Sequence, residues 1–183
     1  MRQTIMLPLT KEKREALRAG DKLLLTGYLY TARDAAHKKL YDMLLNGERL
    51  PVALKDETVY YSGPCPASPG HPIGSAGPTT SGRMDKYAPL LIASGLTAMI
   101  GKGDRDPLTT EAIREYGAVY LGATGGAGAL IARCVRSCEV VAFPELGTEA
   151  IRRLYVEDFP VVVLIDSQGS NLYTISIGKY RTE

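Results

Sequence analysis

Charge of one sign, long apolar runs, cysteine and histidine are all scarce in this sequence. Lys and Arg number 22 against 20 Asp and Glu, a net charge of +2. So even a balance gives no support for a nucleic-acid-binding or membrane-surface protein, and any positive site must come from local clustering. No apolar run approaches the ~20 residues needed to span a bilayer. Met1 to Met6 lack a basic region followed by a long apolar stretch, so no signal peptide is expected. The three cysteines, Cys65, Cys134 and Cys138, are odd in number and come without a secretion signal. That pattern suits reduced thiols in the cytoplasm. Cys134 and Cys138 fall at the end of an expected helix with only Glu139 as a neighbouring ligand type, and both histidines are remote. Two thiols alone hold neither zinc nor an iron–sulfur cluster, so no metal on this chain is expected and the pair reads as buried and inert. Cys65 has no neighbour that would activate it as a nucleophile. Tryptophan is absent while tyrosine occurs 11 times, a skew with no functional reading at the level of sequence. Internal repeats, coiled-coil heptads and low-complexity tails are also missing.

What is present is enough for one sizeable core. The 183 residues are 45% hydrophobic and 23% charged, which fits a single domain over residues 1–183. Short strands are expected at Gln3–Leu7, Lys22–Tyr30, Thr58–Tyr61, Thr97–Ile100, Ala118–Leu121, Glu139–Phe143, Ile151–Val156, Val161–Ile165 and Asn171–Ile177, the last as a hairpin partner after Asp166–Gly169. Helices are expected at Lys11–Ala19 behind the Thr10 cap, from Thr31 to the Asn46–Gly47 stop, and at Gly82–Ser94. Two more are expected, from Asp106–Pro107 to Gly117 and from the Gly122–Gly128 turn to about Ser137. The middle alternates strands with helices, which makes a mixed α/β domain.

The segment Ser62–Gly82 stands apart, with five Pro and five Gly in 21 residues. A loop of that length inside a compact domain is usually functional or disordered. It ends in one of three segments that share a design, a strand end followed by a turn rich in glycine or hydroxyls and carrying a cation. These are Thr31–His37 with Arg33, Gly77–Asp85 with Arg83, and Gly101–Gly103 with Lys102. An arginine in the first turn of a helix opposes the helix dipole and is locally unfavourable unless an anion arrives. Its planar fork matches a carboxylate. Three such cations suit a small dicarboxylic acid. The bland alternative is that each cation is solvated or pairs with a nearby carboxylate such as Asp34 or Asp85. His37, one helical turn after Arg33, either faces the same site or is a packed or capping residue. Gly125–Gly128 fits neither the P-loop nor the dinucleotide pattern, and close helix–sheet packing is the preferred reading of those glycines.

Gly77-Pro78-Thr79-Thr80-Ser81-Gly82-Arg83-Met84-Asp85 is similar to the signature loop of class I fumarases and L-tartrate dehydratases. Arg33-Asp34-Ala35-Ala36-His37 resembles a second signature, as do Tyr120-Leu121-Gly122, Phe143-Pro144-Glu145-Leu146-Gly147 with Glu149-Ala150, and Val156-Glu157-Asp158-Phe159-Pro160. The segment Cys65–His71 follows no such pattern. The resemblance implies a swivelling β/β/α domain, a mixed sheet with flanking helices, acting as the beta subunit of a [4Fe-4S]-dependent hydro-lyase. It implies that the cluster, its three cysteines and a catalytic Asp belong to a partner alpha subunit, in a heterotetramer or on a homodimer of this chain. By the same resemblance Arg33, Arg83 and Lys102 bind substrate carboxylates, Thr79 takes part in proton transfer, and Thr80 and Ser81 hydrogen-bond or shape the loop. Fumarate and L-malate are favoured over tartrate and oxaloacetate as substrates. The competing classes are a non-catalytic carboxylate-binding scaffold of the same fold and an unrelated phosphate-binding α/β domain.

Overall fold

A computed structural model describes residues 3–181. Along Lys22–Thr31 the residues Leu23, Leu25, Leu29 and Thr31 are buried while their neighbours are not, so this segment folds as the long strand β2 beside β1 (Gln3–Met6). The short strands β3 (Thr58–Tyr60), β4 (Ala98–Gly101) and β5 (Val119–Gly122) are buried along nearly their whole length, as parallel strands covered on both faces must be. β6 (Val135–Ala142) and β7 (Ile151–Ile165) complete one sheet in the order β1-β2-β3-β4-β5-β7-β6. Strands β1 to β5 run parallel, and β7 is antiparallel to β2, β5 and β6. Because β7 pairs with both β5 and β2, the strands β2-β3-β4-β5-β7 close on themselves like a barrel.

Two apolar clusters follow from the strand alternation. Leu25, Leu29, Ile100, Leu121, Leu154, Phe159 and Val163 belong to the first, which one face of the sheet encloses. Val59, Met99 and Tyr120 point the other way and pack with α2 (Asp34–Leu45), α3 (Ala88–Ala93) and α4 (Pro107–Tyr116). Helices α1 (Lys11–Ala16), α5 (Gly128–Ala132) and α6 (Leu172–Tyr180) flank the rest. The cap signals work as read. Thr10 accepts from the Lys13 amide, Asp106 accepts from the Thr109 amide with Pro107 behind it, and Gly117 closes α4 in the left-handed region at φ 62°. The expected mixed α/β architecture of β/β/α type is the observed one.

Several elements differ from expectation. The helix expected over Gly82–Ser94 is a short 3-10 turn, Ser81–Met84, followed by α3. Pro89 is the reason, since proline is accommodated only in the first helical turn. The expected helix to Ser137 stops at Ala132, and Cys138 lies on β6 with Leu154 opposite. Cys134 and Cys138 therefore share no helical face, although both are half-buried against the first cluster. Two expected strands fuse into β7, because Asp158 takes a left-handed conformation at φ 52° and its amide is held by Thr26 Oγ1, so the strand bends without breaking. Asn171 starts a helix rather than a hairpin strand, its side chain accepting from the Tyr173 amide.

Candidate carboxylate site at the strand ends

The carboxyl ends of β2, β3 and β4 are level with one another, since Thr31 is opposite Tyr60 and Tyr60 is opposite Ile100. The residues that follow these strands therefore emerge side by side. Arg33 follows β2 and Lys102 follows β4. The long loop returns to the gap between them. The Thr79 amide donates to the Tyr61 carbonyl at 2.6 Å, the Lys102 amide donates to the Thr79 carbonyl at 3.3 Å, and the Ser81 amide donates to the Lys102 carbonyl at 2.8 Å. Thr79, Thr80 and Ser81 are thus stitched to the end of β4 like an extra strand.

Several hydrogen bonds tie the loop to the body of the domain. The Tyr60 hydroxyl donates to the Ala76 carbonyl at 2.5 Å, Ser62 Oγ donates to the Gly77 carbonyl at 3.0 Å, and the Ala76 amide donates to the Gly128 carbonyl at 3.1 Å. A Cβ at Gly128 would lie 2.4 Å from Ser75 Oγ and 2.9 Å from the Gly77 nitrogen. Gly128, the first residue of α5, thus admits the close approach of this loop. A Cβ at Gly101 would lie 2.0 Å from Ser81 Oγ, so glycine there admits Ser81.

Three buried tyrosines, Tyr60, Tyr61 and Tyr120, stand under these turns, and part of the tyrosine excess acquires a purpose. The Tyr120 oxygen is 2.7 Å from the Gly103 carbonyl and 2.8 Å from Ser81 Oγ. A phenol has one proton and a carbonyl only accepts, so Tyr120 donates to Gly103 and Ser81 donates to Tyr120. Ser81 is fully buried by this bond and shapes the loop from inside. Burial pushes the Tyr120 hydroxyl well above its ordinary pKa, which keeps it a neutral donor. Arg105 runs beneath the same loop, its guanidinium 4.9 Å from the Tyr120 ring centre and 5.4 Å from that of Tyr61. Its Nε donates to Asp85 Oδ1 at 2.5 Å, and Asp85 Oδ2 accepts from the Asp106 amide at 2.8 Å. Burial works against the Arg105 charge, but Tyr61, Asp85 and Tyr120 outweigh it and hold its pKa above the usual value.

The expected cations meet as follows. Arg33 Nε donates to Asp34 Oδ2 at 2.9 Å and Arg83 Nε to Asp34 Oδ1 at 2.7 Å, so one carboxylate joins both arginines. Glu149 takes Arg33 Nη2 at 3.2 Å and the Ala35 amide at 2.7 Å, bracing the start of α2. The pairing with Asp34 foreseen as the bland alternative is therefore real for both arginines, whereas Asp85 belongs to Arg105. Burial pulls the Asp34 carboxyl up, but the bonds and charges of Arg33 and Arg83 and its own backbone bond hold it below the usual carboxylate range. Lys102 has no carboxylate partner among the described residues. It passes close to Gly125, where a Cβ would sit 3.6 Å from Lys102 Cδ. Counting Arg33, Arg83 and Lys102 against Asp34 and Glu149 leaves one net positive charge, 3 − 2 = +1, before an anion arrives.

Thr79 is buried, and its hydroxyl makes no hydrogen bond among the described residues. It caps no helix. Thr80 occupies the cap position of the 3-10 turn and its side chain makes no capping bond either; it is exposed. Both oxygens of Asp85 are taken, so Thr79 has no carboxylate partner among the described residues. His37 lies behind Arg33, with its Nε2 buried and without a hydrogen-bond partner among the described residues. Its Nδ1 donates to the Arg33 carbonyl at 3.2 Å, its ring meets Tyr61 edge-on at 5.0 Å, and it is completely buried. Burial lowers its pKa to about 4, with the Arg105 charge adding to the shift, so it is a neutral core residue. Sequence reasoning missed Arg105, Tyr120 and Glu149 as parts of this arrangement. The signal for Glu149 lay in the Phe143–Ala150 motif, which packs its 3-10 turn, Pro144–Glu149, on α2.

The parallel strand ends of this small β/β/α domain thus bring together two guanidiniums linked through one carboxylate and a lysine. The chain belongs to the family described as Fumarase C-terminus, whose model matches residues 2–176. The anaerobic class I fumarate hydratase of Escherichia coli is 42% identical over 160 residues, which cover 86% of this chain and 29% of that protein. Fumarate hydratase 2 of Leishmania major is 41% identical over 157 residues, 85% of this chain and 28% of that protein. The chain thus spans under a third of these relatives. A putative L(+)-tartrate dehydratase subunit beta of Methanocaldococcus jannaschii is 39% identical over 171 residues, and there the match covers 90% of this chain and 88% of the relative. The relatives named as fumarate hydratases and a tartrate dehydratase subunit place the chain in a hydro-lyase family. Among the described residues no three His, Cys, Asp or Glu side chains gather to hold a metal, and the cysteines do not fit a cluster. Among the described residues no helix is long and apolar enough to cross a membrane.

Proposed function

We propose that this chain is the beta subunit of a two-subunit hydro-lyase that adds water reversibly to fumarate to give L-malate. The observation that carries this is the union of Arg33 and Arg83 on one carboxylate, beside the strand end that holds Lys102 and Thr79. A four-carbon dicarboxylate has two anionic ends, and the guanidinium forks and the ammonium would each take part in binding them. Thr80 and Ser81 shape the loop. Thr79 carries the proton. A threonine hydroxyl is too weak a base alone and accepts a proton only if a carboxylate takes its own. Asp85 is engaged with Arg105, so that carboxylate comes from an alpha subunit, and the active site lies between the two chains. The alpha subunit also carries the [4Fe-4S] cluster, which supplies a Lewis acid for the departing hydroxyl. The assembly works in the cytoplasm as a heterotetramer, or on a homodimer of this chain.

L-tartrate dehydration to oxaloacetate is the second reading. It is favoured by one specific observation, the tartrate dehydratase subunit of nearly the same length. Both substrates are dicarboxylates and use the same cations. The test is co-production with a subunit bearing three cluster cysteines, anaerobic reconstitution, and rates on L-malate and L-tartrate. Turnover of either by the complex, and of neither by this chain alone, supports the reading. Full turnover by this chain alone overturns it.

A further inference from the structure

Asp34 is an odd residue to find in an anion site. It is a carboxylate, it lines an open groove of about 730 Å³ together with Arg83, Lys86, Asp85 and Asp106, and its charge repels any dicarboxylate that approaches. Its two oxygens are nevertheless divided with care. Oδ2 takes Arg33 and Oδ1 takes Arg83, in both cases through Nε. A guanidinium has five N–H donors, and binding at Nε leaves the Nη end of Arg83 without a partner among the described residues. Arg33 keeps Nη1 while its Nη2 is braced by Glu149. Arginine side chains carry about 2 kcal/mol of rotamer entropy. The Arg83 side chain is 52% exposed, and without Asp34 nothing described fixes its direction.

We propose that Asp34 is the positioning residue of the carboxylate site, clamping Arg33 and Arg83 by their Nε atoms so that the remaining Nη donors meet the substrate already oriented. The inference rests on the dicarboxylate reading above. It accepts a loss of net positive charge in return for geometry, and that exchange fixes the sign of its test.

Asp34→Asn in the reconstituted complex removes one negative charge next to two guanidiniums. If charge alone mattered, KM for L-malate and L-tartrate would fall. If Asp34 positions the arginines, KM rises about 10–100-fold, the worth of one oriented charge-assisted contact, and rises by a larger factor than kcat falls. Asp34→Glu, which keeps the carboxylate, recovers part of the loss. A KM that falls or stays level in Asp34→Asn overturns the proposal. Should Asp34→Asn fail to assemble, Asp34→Glu alone decides, because a longer carboxylate that displaces both arginines must raise KM, and an unchanged KM sinks the idea. Arg83→Ala separates this failure from that of the functional reading. If Arg83→Ala raises KM and Asp34→Asn does not, only the positioning role is lost. If Arg83→Ala also leaves KM unchanged, the carboxylate site itself is wrong.

Discussion

Replacing Asp85 by Asn is the sharpest stability test of the loop's foundation. The Arg105 side chain is fully buried and that of Asp85 is 8% exposed, so the pair is shielded from solvent and salt. Asn retains an oxygen for the Asp106 amide but removes the charge that compensates Arg105. Breaking a buried pair from one side costs about 3–5 kcal/mol, because the surviving ion is left uncompensated. Arg105 keeps its stacking on Tyr61 and Tyr120, so the lower half of that range is expected. At about 2–4 °C per kcal/mol for chains of this size, the melting temperature should fall by roughly 6–15 °C. The measurement is urea and thermal unfolding followed by circular dichroism, comparing Asp85→Asn with Asp85→Asn/Arg105→Met. The double variant removes both charges and should be less damaged than the single one. A loss under about 1 kcal/mol in Asp85→Asn would mean that the pair is not the buried anchor described, a threshold set by what exposed pairs contribute.

His37 makes a pH prediction. Its folded pKa of about 4 lies below the ordinary 6.5, so between those values the unfolded chain binds a proton that the folded chain refuses. Stability from this group is complete above pH 6.5 and is lost as pH falls toward 4, by roughly 3 kcal/mol in total; His37→Gln should flatten that part of the stability–pH curve, and an unaltered slope would refute the neutral assignment. Gly101→Ala drives a methyl to 2.0 Å from Ser81 Oγ and 3.3 Å from Ser81 Cβ, which a hydroxyl rotation alone cannot relieve. It should cost about 1–3 kcal/mol and disturb the Thr79–Ser81 loop, read as lower melting together with reduced turnover of the complex.

The helix caps and the side-by-side strand ends were the most legible part of the sequence, because their signals are local. Asp106–Pro107 caps a helix wherever it occurs, and cations placed after successive parallel strands must emerge on one edge. The illegible parts depended on tertiary contacts. Leu172–Tyr180 is rich in β-branched and aromatic residues and buries none of them, so its period favoured a strand until the Asn171 cap decided otherwise. Glu157–Pro160 looks like a strand end and is instead a bend in β7, made possible by Thr26 on the opposite strand. Arg105 and Asp85 lie 20 residues apart with nothing in sequence to join them, and only the folding of the loop over α4 brings them together.

Thr79→Val in the reconstituted complex tests the central claim most directly. Valine keeps the shape and removes the hydroxyl. The Thr79 side chain caps nothing and makes no bond among the described residues, so melting and assembly should be nearly unchanged. If Thr79 carries the proton in a hydro-lyase site shared with an alpha subunit, turnover of the substrate that the wild-type complex uses should collapse by roughly 10²–10⁴, with substrate affinity retained. Near-normal turnover in a properly assembled Thr79→Val complex would contradict the account.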